Sequence, residues 1–312
     1  MDSANAVRVE RVEYGGWPDC YRISNGSVEL IVTSDVGPRI LRYGFPGGQN
    51  LFKEYPEQLG KSGESTFQAR GGHRLWKAPE DLATTWIADN EPVVVRVNED
   101  GLTALSPVEG ASGLQKEIEI NMAQSGSGVR IVHRIRNCSK AEIVFAPWAL
   151  TVMSAGGVAI AAFPPRGAHP VNLDPTNPLV MWAYTDLSDP RWRFTQKYLV
   201  LRQDATRPSP QKLGLFNEHT WAAYLLNGEM FIKRSRSVSS ETYADFGCSL
   251  EMFTNDEFLE LETLGPLRPV APGEIVEHVE HWSLHRDVNL SQFQDDSIDR
   301  AVLPLAELEQ PC

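Results

Sequence analysis

F-L-E-L-E-T-L-G-P-L-R-P-V-A-P-G-E-I-V-E-H-V-E-H-W-S-L, residues 258–284, holds two strand-like runs separated by turn signals. The first run, 258–264, stops at Gly265-Pro266, and the second, 275–284, follows Pro272-Gly273. Side chains two apart in a strand share a face. Glu260 and Glu262 therefore project together, flanked by Phe258 and Leu264, while Leu259 and Leu261 point the other way, as a core requires. Two carboxylates on a face that also carries Phe and Leu are costly unless a ligand, a cation or hydrogen-bond donors answer them. A solvated sheet face is the blander account of an E-x-E pair, and the pair alone names no chemistry.

Outward from this stretch the chain is mostly short strands and turns. Residues 7–12, 27–33, 39–45, 93–98, 114–121, 129–136, 142–150, 197–201, 221–226, 230–234 and 249–254 also read as strands. In 129–136 the alternation is clear: Val129, Ile131, His133 and Ile135 share one face, and Arg130, Arg134 and Arg136 the other. Asn227-Gly228 between two apolar runs predicts a hairpin turn. Many strands with few helix candidates mean an all-β sandwich or barrel. Residues 7–286 are expected to form one domain and 287–312 a C-terminal tail with one helical turn. The Pro-rich 163–178 section reads as a long loop over the sheet, because strand patterns resume on both sides.

Composition narrows the function classes. The formal net charge of −12 argues against nucleic acid, whose phosphates need a basic surface, and against an anionic membrane. No apolar run approaches the roughly 20 residues of a spanning helix, and the polar, mixed-charge N-terminus has no signal-peptide pattern. Cys20, Cys138, Cys248 and Cys312 form no C-x-x-C, which suits reduced thiols in a cytoplasm. No nucleophile elbow, phosphate loop or dinucleotide fingerprint stands in a suitable context, so no cofactor is expected. His278, His281 and His285 cluster near the end. In a strand, however, His278 and His281 face opposite ways and His281 lies roughly 13 Å from His285, so no metal site is expected there.

The order strand, Glu, Thr, a short excursion with Pro, then Pro-Gly-Glu and a last aromatic-bearing strand resembles the C-terminal end of galactose-mutarotase-like (aldose 1-epimerase-like) proteins. Glu262, within Leu261-Glu262-Thr263-Leu264-Gly265-Pro266, matches the position of that family's catalytic base. Leu250-Glu251-Met252-Phe253-Thr254-Asn255 is similar to its penultimate strand. Three blocks, 71–80 (G-G-H-R-L-W-K-A-P-E), 147–157 (P-W-A-L-T-V-M-S-A-G-G) and 259–266 (L-E-L-E-T-L-G-P), resemble one branch of that superfamily, and the match spans about 29–284. The resemblance implies a large antiparallel β-supersandwich and a small-molecule carbohydrate as partner.

In the 70–80 block the paired glycines, Gly71 and Gly72, allow a tight turn and close approach to a ligand. Behind them stand His73, Arg74, Trp76 and Lys77, a set of donors and a flat apolar ring that suits a sugar. The family's sugar-lining His beside a Gly pair corresponds to His73, with the order reversed. Its second catalytic His would lie on the 145–153 strand, where this chain has none; Trp148 or Thr151 stands in that space. His133, among Val and Ile, is expected to be a buried, hydrogen-bonded core residue.

Mutarotation needs a base at the anomeric hydroxyl and an acid at the ring oxygen. The resemblance implies Glu262 as base and His73 as acid or polarising donor. Arg74, Lys77 and Trp148 would contact the sugar, Trp76 would stack on it and Glu260 would orient Glu262. Glu262, His73 and Arg74 are then expected to converge in one cleft. The alternative is a sugar-binding or sensing protein without turnover. A glycosidase pair is disfavoured, because carboxylates two apart on one strand approach a substrate from the same side.

Overall fold

A computed structural model describes residues 6–307. In chain order the first strands are β1 (Arg8–Tyr14), β2 (Trp17–Ser24), β3 (Glu29–Val32), β4 (Arg39–Gly44), β5 (Gly72–Ala78), β6 (Val94–Val97) and β7 (Gly101–Val108). There follow β8 (Leu114–Met122), β9 (Val129–Asn137), β10 (Ile143–Met153), β11 (Val158–Ala162), β12 (Leu179–Met181), β13 (Trp192–Phe194) and β14 (Tyr198–Arg202). The last are β15 (Gln211–Leu215), β16 (His219–Leu226), β17 (Glu229–Arg236), β18 (Leu250–Thr254), β19 (Leu259–Leu264), β20 (Arg268–Val270) and β21 (Ile275–His285). Two short helices, α1 (Asp295–Ala301) and α2 (Leu303–Glu307), close the described chain. Residues 308–312, with Cys312 and the end of the expected tail, lie outside the described residues, as do 1–5.

The strands form two antiparallel sheets. The front sheet runs β1-β2-β3-β4-β5-β10-β19-β18-β15-β12, with β20 also paired to β10, and the back sheet runs β13-β14-β11-β16-β17-β21-β9-β8-β7-β6. The 129–136 alternation is borne out: on β9 Val129, Ile131, His133 and Ile135 are buried. Between the sheets Tyr43, Phe52, Phe231 and Trp282 pack with ring centroids 5.3 to 6.0 Å apart for the pairs Phe52–Phe231 and Tyr43–Phe231, surrounded by aliphatics such as Ile118, Ile131, Leu259 and Leu261. Asn227 and Gly228, with φ of 51° and 78°, make the expected hairpin between β16 and β17. No helix among the described residues is long and apolar enough to cross a membrane.

Three features depart from the expectation. The tail is more than one turn: Ile298 of α1, Ala306 of α2 and Val302 between them are buried on the outer face of the back sheet against Ile160, Trp221 and Ile232. Strands β2, β7, β11 and β15 carry weak alternation and escape a reading by pattern. Most important, the 72–78 segment is a central strand, β5, between β4 and β10.

The entry to β5 explains its glycines. Arg70, Gly71 and Gly72 all have positive φ (48°, 91° and 70°). A Cβ on Gly71 would lie 1.8 Å from the Lys53 carbonyl oxygen, and one on Gly72 2.3 Å from that of Ile40. The close approach is to neighbouring backbone, which corrects the expectation that the pair serves a ligand. At Gly47, φ is 68° but an added Cβ meets nothing within 4 Å. Gly72→Ala should therefore cost at least about 3 kcal/mol in urea unfolding and Gly47→Ala only about 1 kcal/mol. Equal costs at the two sites would contradict the backbone-contact account.

Candidate functional site

Strand β10 lies between β5 and β19, and their register aligns side chains in rows. Trp76, Trp148 and Leu264 form one row and Arg74, Leu150 and Glu262 the next. Beyond β19, Glu251 of β18 sits directly opposite Glu262, and Gly214 of β15 follows it. Lys212, two residues before Gly214, faces the same way. Like charges opposed across a ladder are destabilising, so Glu251 and Glu262 require an intervening cation.

Lys212 supplies it. Its Nζ lies 2.7 Å from Glu251 Oε2 and donates to Glu262 Oε2 at 2.8 Å. Trp148 Nε1–H donates to the same Glu262 oxygen at 2.9 Å. On the other side, Arg74 Nη2 donates to Glu260 Oε1 at 2.9 Å. Aromatic rings enclose both cations: the Lys212 ammonium is 4.7 Å from the Trp148 ring centroid and 4.6 Å from that of Trp182, and the Arg74 guanidinium 4.4 Å from that of Trp76. Phe67 and Trp86 pack on Trp76, so this sheet face is roofed by loops, with Trp86 and Tyr184 partly exposed at its rim.

The five charged groups are all buried, and three carboxylates face two cations. Burial pushes the Glu251 carboxyl well above the usual carboxylate range. Burial also raises Glu260, against the pull of Arg74. For Lys212 burial works against the charge, yet Glu251 and Glu262 hold the ammonium well above its ordinary value. Three groups keep open hydrogen-bonding positions: Glu262 Oε1, Arg74 Nε and Nη1, and both oxygens of Glu251, which meets Lys212 as an ion pair, are buried without a hydrogen-bond partner. Such atoms cost about 1–3 kcal/mol each when unmet. The face thus offers acceptor oxygens on Glu262 and Glu251 and two N–H positions on the Arg74 guanidinium, with indoles around them.

Arg74, Trp76, Trp148, Glu260 and Glu262 share this face. His73 and Lys77 do not. His73 is adjacent to Arg74 in β5 and so points to the opposite side of the sheet, as does Lys77, whose Nζ donates to the Pro79 carbonyl. The expected convergence of His73 with Glu262 is corrected: the imidazole is wholly buried between the sheets. Lys212 and Glu251 are not singled out by pattern: Lys212 lies on a short strand without alternation, and Glu251, although on the expected 249–254 strand, meets Glu262 only through the fold.

Behind the front sheet His73 belongs to a closed polar network. Lys233 Nζ lies 2.7 Å from Glu280 Oε1 and donates to Thr151 Oγ1 at 3.0 Å. One proton assignment satisfies the rest. Thr151 donates to His73 Nδ1 (2.9 Å), His73 Nε2–H to His133 Nε2 (2.7 Å), and His133 Nδ1–H to the His278 carbonyl (3.0 Å). His278 Nε2–H donates to Thr263 Oγ1 (2.6 Å), Thr263 donates to Glu280 Oε1, and Trp282 Nε1–H to Glu280 Oε2 (2.7 Å). His73, His133 and Glu280 have the donor types of a metal site and lie close enough together. Here the Lys233 ammonium already sits on the carboxylate, and the facing imidazole nitrogens are used on each other. His133 is the buried, hydrogen-bonded core residue expected of it. His278 turns inward to Thr263, while His285 bonds Ser283, so the C-terminal histidines do not gather on one ion.

A separate cleft of about 1260 Å³ is lined by Phe163, Lys197, Trp221, Arg236, His278 and His281; the Glu262 cluster is not part of it.

No protein-family profile matches the chain, and no curated protein matches it in sequence. Solved structures do match. A protein from Synechocystis sp. PCC 6803 has a TM-score of 0.57 at 14% identity, covering 89% of this chain and 99% of its own. A galactose mutarotase related enzyme from Lactobacillus acidophilus has a TM-score of 0.55 at 10% identity over 86% and 98% of the two chains. A galactose mutarotase-like protein from Lactobacillus casei ATCC 334 gives 0.52 at 11% identity over 85% and 100%. The fold is the galactose-mutarotase-like β-sandwich implied by the motifs.

The network behind the sheet has a pH signature. Burial holds His73 well below its ordinary value, lowers His133 and brings His278 to about 3. Burial opposes the Glu280 charge, but Lys233 and the three histidines outweigh it and keep the carboxyl below its usual range. A histidine with a depressed folded pKa contributes stability that is complete above the unfolded value of about 6.5 and is lost as pH falls toward the folded one. Urea unfolding should therefore weaken from pH 7 to 4. His278→Gln, which retains a donor for Thr263, should reduce that slope by about 1.4 kcal/mol per pH unit between roughly pH 6 and 4. An unchanged slope would mean that His278 titrates alike in folded and unfolded chains.

Proposed function

We propose that this protein is carbohydrate-active and that the roofed front-sheet face works as an aldose 1-epimerase-type site, with Glu262 as the base. The observation that carries this reading is the divided state of the Glu262 carboxylate. Oε2 is held by Lys212 and Trp148, which fixes the group, whereas Oε1 is buried and has no partner. A fixed carboxylate with one open oxygen is what abstraction of an anomeric hydroxyl proton needs. The open Arg74 positions suit a hydroxyl or ring oxygen on the same ligand, and Trp76 and Trp148 present apolar rings to sugar C–H groups. Support also comes from the fold and from the mutarotase-related structures it resembles.

A carbohydrate-binding protein without turnover is the second reading. It is favoured by the absence of any histidine among the groups that hold Glu262, whose partners are Trp148 and Lys212.

The test is anomer interconversion, followed by polarimetry or saturation-transfer NMR over a panel of aldoses, uronic acids and sugar phosphates. The folded protein should accelerate at least one of them; acceleration of none contradicts the enzyme reading, and binding without acceleration selects the second. Glu262→Gln removes the surplus negative charge, leaving Glu251 and Glu260 against Lys212 and Arg74. It should fold with stability within about 1 kcal/mol of the parent, while activity falls by roughly two to four orders of magnitude. A large loss of stability instead would make the carboxylate a structural partner of Lys212.

A further inference from the structure

We propose that Lys212 is the proton donor to the sugar ring oxygen, the part that a histidine would play on this fold. The inference rests on the reading of Glu262 as base. A ring-opening step leaves an alkoxide at the ring oxygen unless an acid protonates it. The groups beside Glu262 limit the choice: an indole N–H is not an acid at working pH, and an arginine stays protonated throughout. Lys212 is the neighbour of Glu262 that can release a proton. Its ammonium donates to Glu262 and pairs with Glu251 at 2.7 Å, and no further acceptor for it is found among the described residues. Trp148 and Trp182 shield it from water.

The pairing with Glu262 gives the donor its timing. With both carboxylates ionised the ammonium is held tightly charged. When the anomeric proton moves to Glu262, a unit negative charge disappears at hydrogen-bond distance, and the ammonium becomes a stronger acid as the ring oxygen becomes a stronger base. The protons balance. The O1–H bond breaks and its proton passes to Glu262 Oε1. The O1 electron pair closes the C1=O1 bond, the C1–O5 pair moves onto O5, and O5 takes a proton from Lys212. After rotation about C1–C2 each transfer reverses: Lys212 recovers its proton as O5 attacks the other face of C1, and Glu262 returns its proton to O1. No oxidant or co-reactant is required.

The test compares an aldose with its analogue carrying sulfur in the ring, using the parent protein, Lys212→Arg and Glu262→Gln. A ring thiolate, with a pKa near 8.5 by analogy with cysteine, leaves with little need of an acid. Arginine preserves the charge but releases no proton. Lys212→Arg should lose at least a hundredfold in kcat on the oxygen ring, stay within tenfold on the sulfur ring, and hold KM within about threefold. Glu262→Gln should be slow on both. Equal loss on the two rings would reduce Lys212 to a fixed charge, and an unaffected kcat would remove it from the reaction. Absence of acceleration by the parent protein would overturn the epimerase reading itself, and this inference with it. Should the larger guanidinium prevent folding, Glu251→Gln supplies an independent measurement. It removes one of the two carboxylates that hold the ammonium charged, so the alkaline fall of kcat should begin at least one pH unit below that of the parent. An unmoved alkaline limb would overturn the proposal.

Discussion

The Lys212 ammonium lets Glu251 and Glu262 occupy opposed positions on a buried sheet face. Without it, two carboxylates face each other across a ladder in a site that burial already makes hostile to charge, and removal of one partner from such a group is strongly destabilising. Arg74 does the same for Glu260. Both cations are further held by indole rings, so the front face of β19 is a closed lattice of charge and aromatic surface. The rear face of the same strand carries a second lattice, in which Lys233 and Glu280 pair directly and bond Thr151 and Thr263 respectively. β19 is thus buried on both sides with ionisable groups on each. The difference between the faces is that no side-chain atom of the rear network is buried without a partner, whereas the front leaves Glu262 Oε1, both Glu251 oxygens and two Arg74 positions open.

That contrast separates structure from chemistry. A network whose buried side-chain atoms are already paired with one another has little left to offer a ligand, however suggestive its three histidines. The front face has an open acceptor, open donors and ring surfaces within one layer. Fold likeness at 10 to 14% identity speaks for the sandwich alone; the open atoms of this chain say what the face can hold.

The front face was partly legible in the sequence. The E-x-E spacing in 258–264 placed Glu260 and Glu262 together, away from Leu259 and Leu261, and the family motifs brought Arg74, Trp76 and Trp148 to them. The error at His73 was one of parity. The double glycine reads as a tight turn beside a ligand, whereas in a strand His73 and Arg74 must face opposite ways and cannot serve one site. Lys212 left no local trace, since Gln211–Leu215 is a short strand without alternation and its partners lie 39 and 50 residues further on, at Glu251 and Glu262. Charge pairing across a sheet is a property of strand order, and strand order here follows from crossovers that periodicity does not encode.

The most direct measurement is an electron-density map from crystals soaked with an aldose that the protein binds. The account predicts a pyranose on the front face, with a hydroxyl within hydrogen-bond distance of Glu262 Oε1 and an oxygen opposite Arg74 Nη1. A sugar seated instead in the cleft of Phe163, Trp221 and Arg236, with the Glu262 face unchanged, would contradict it.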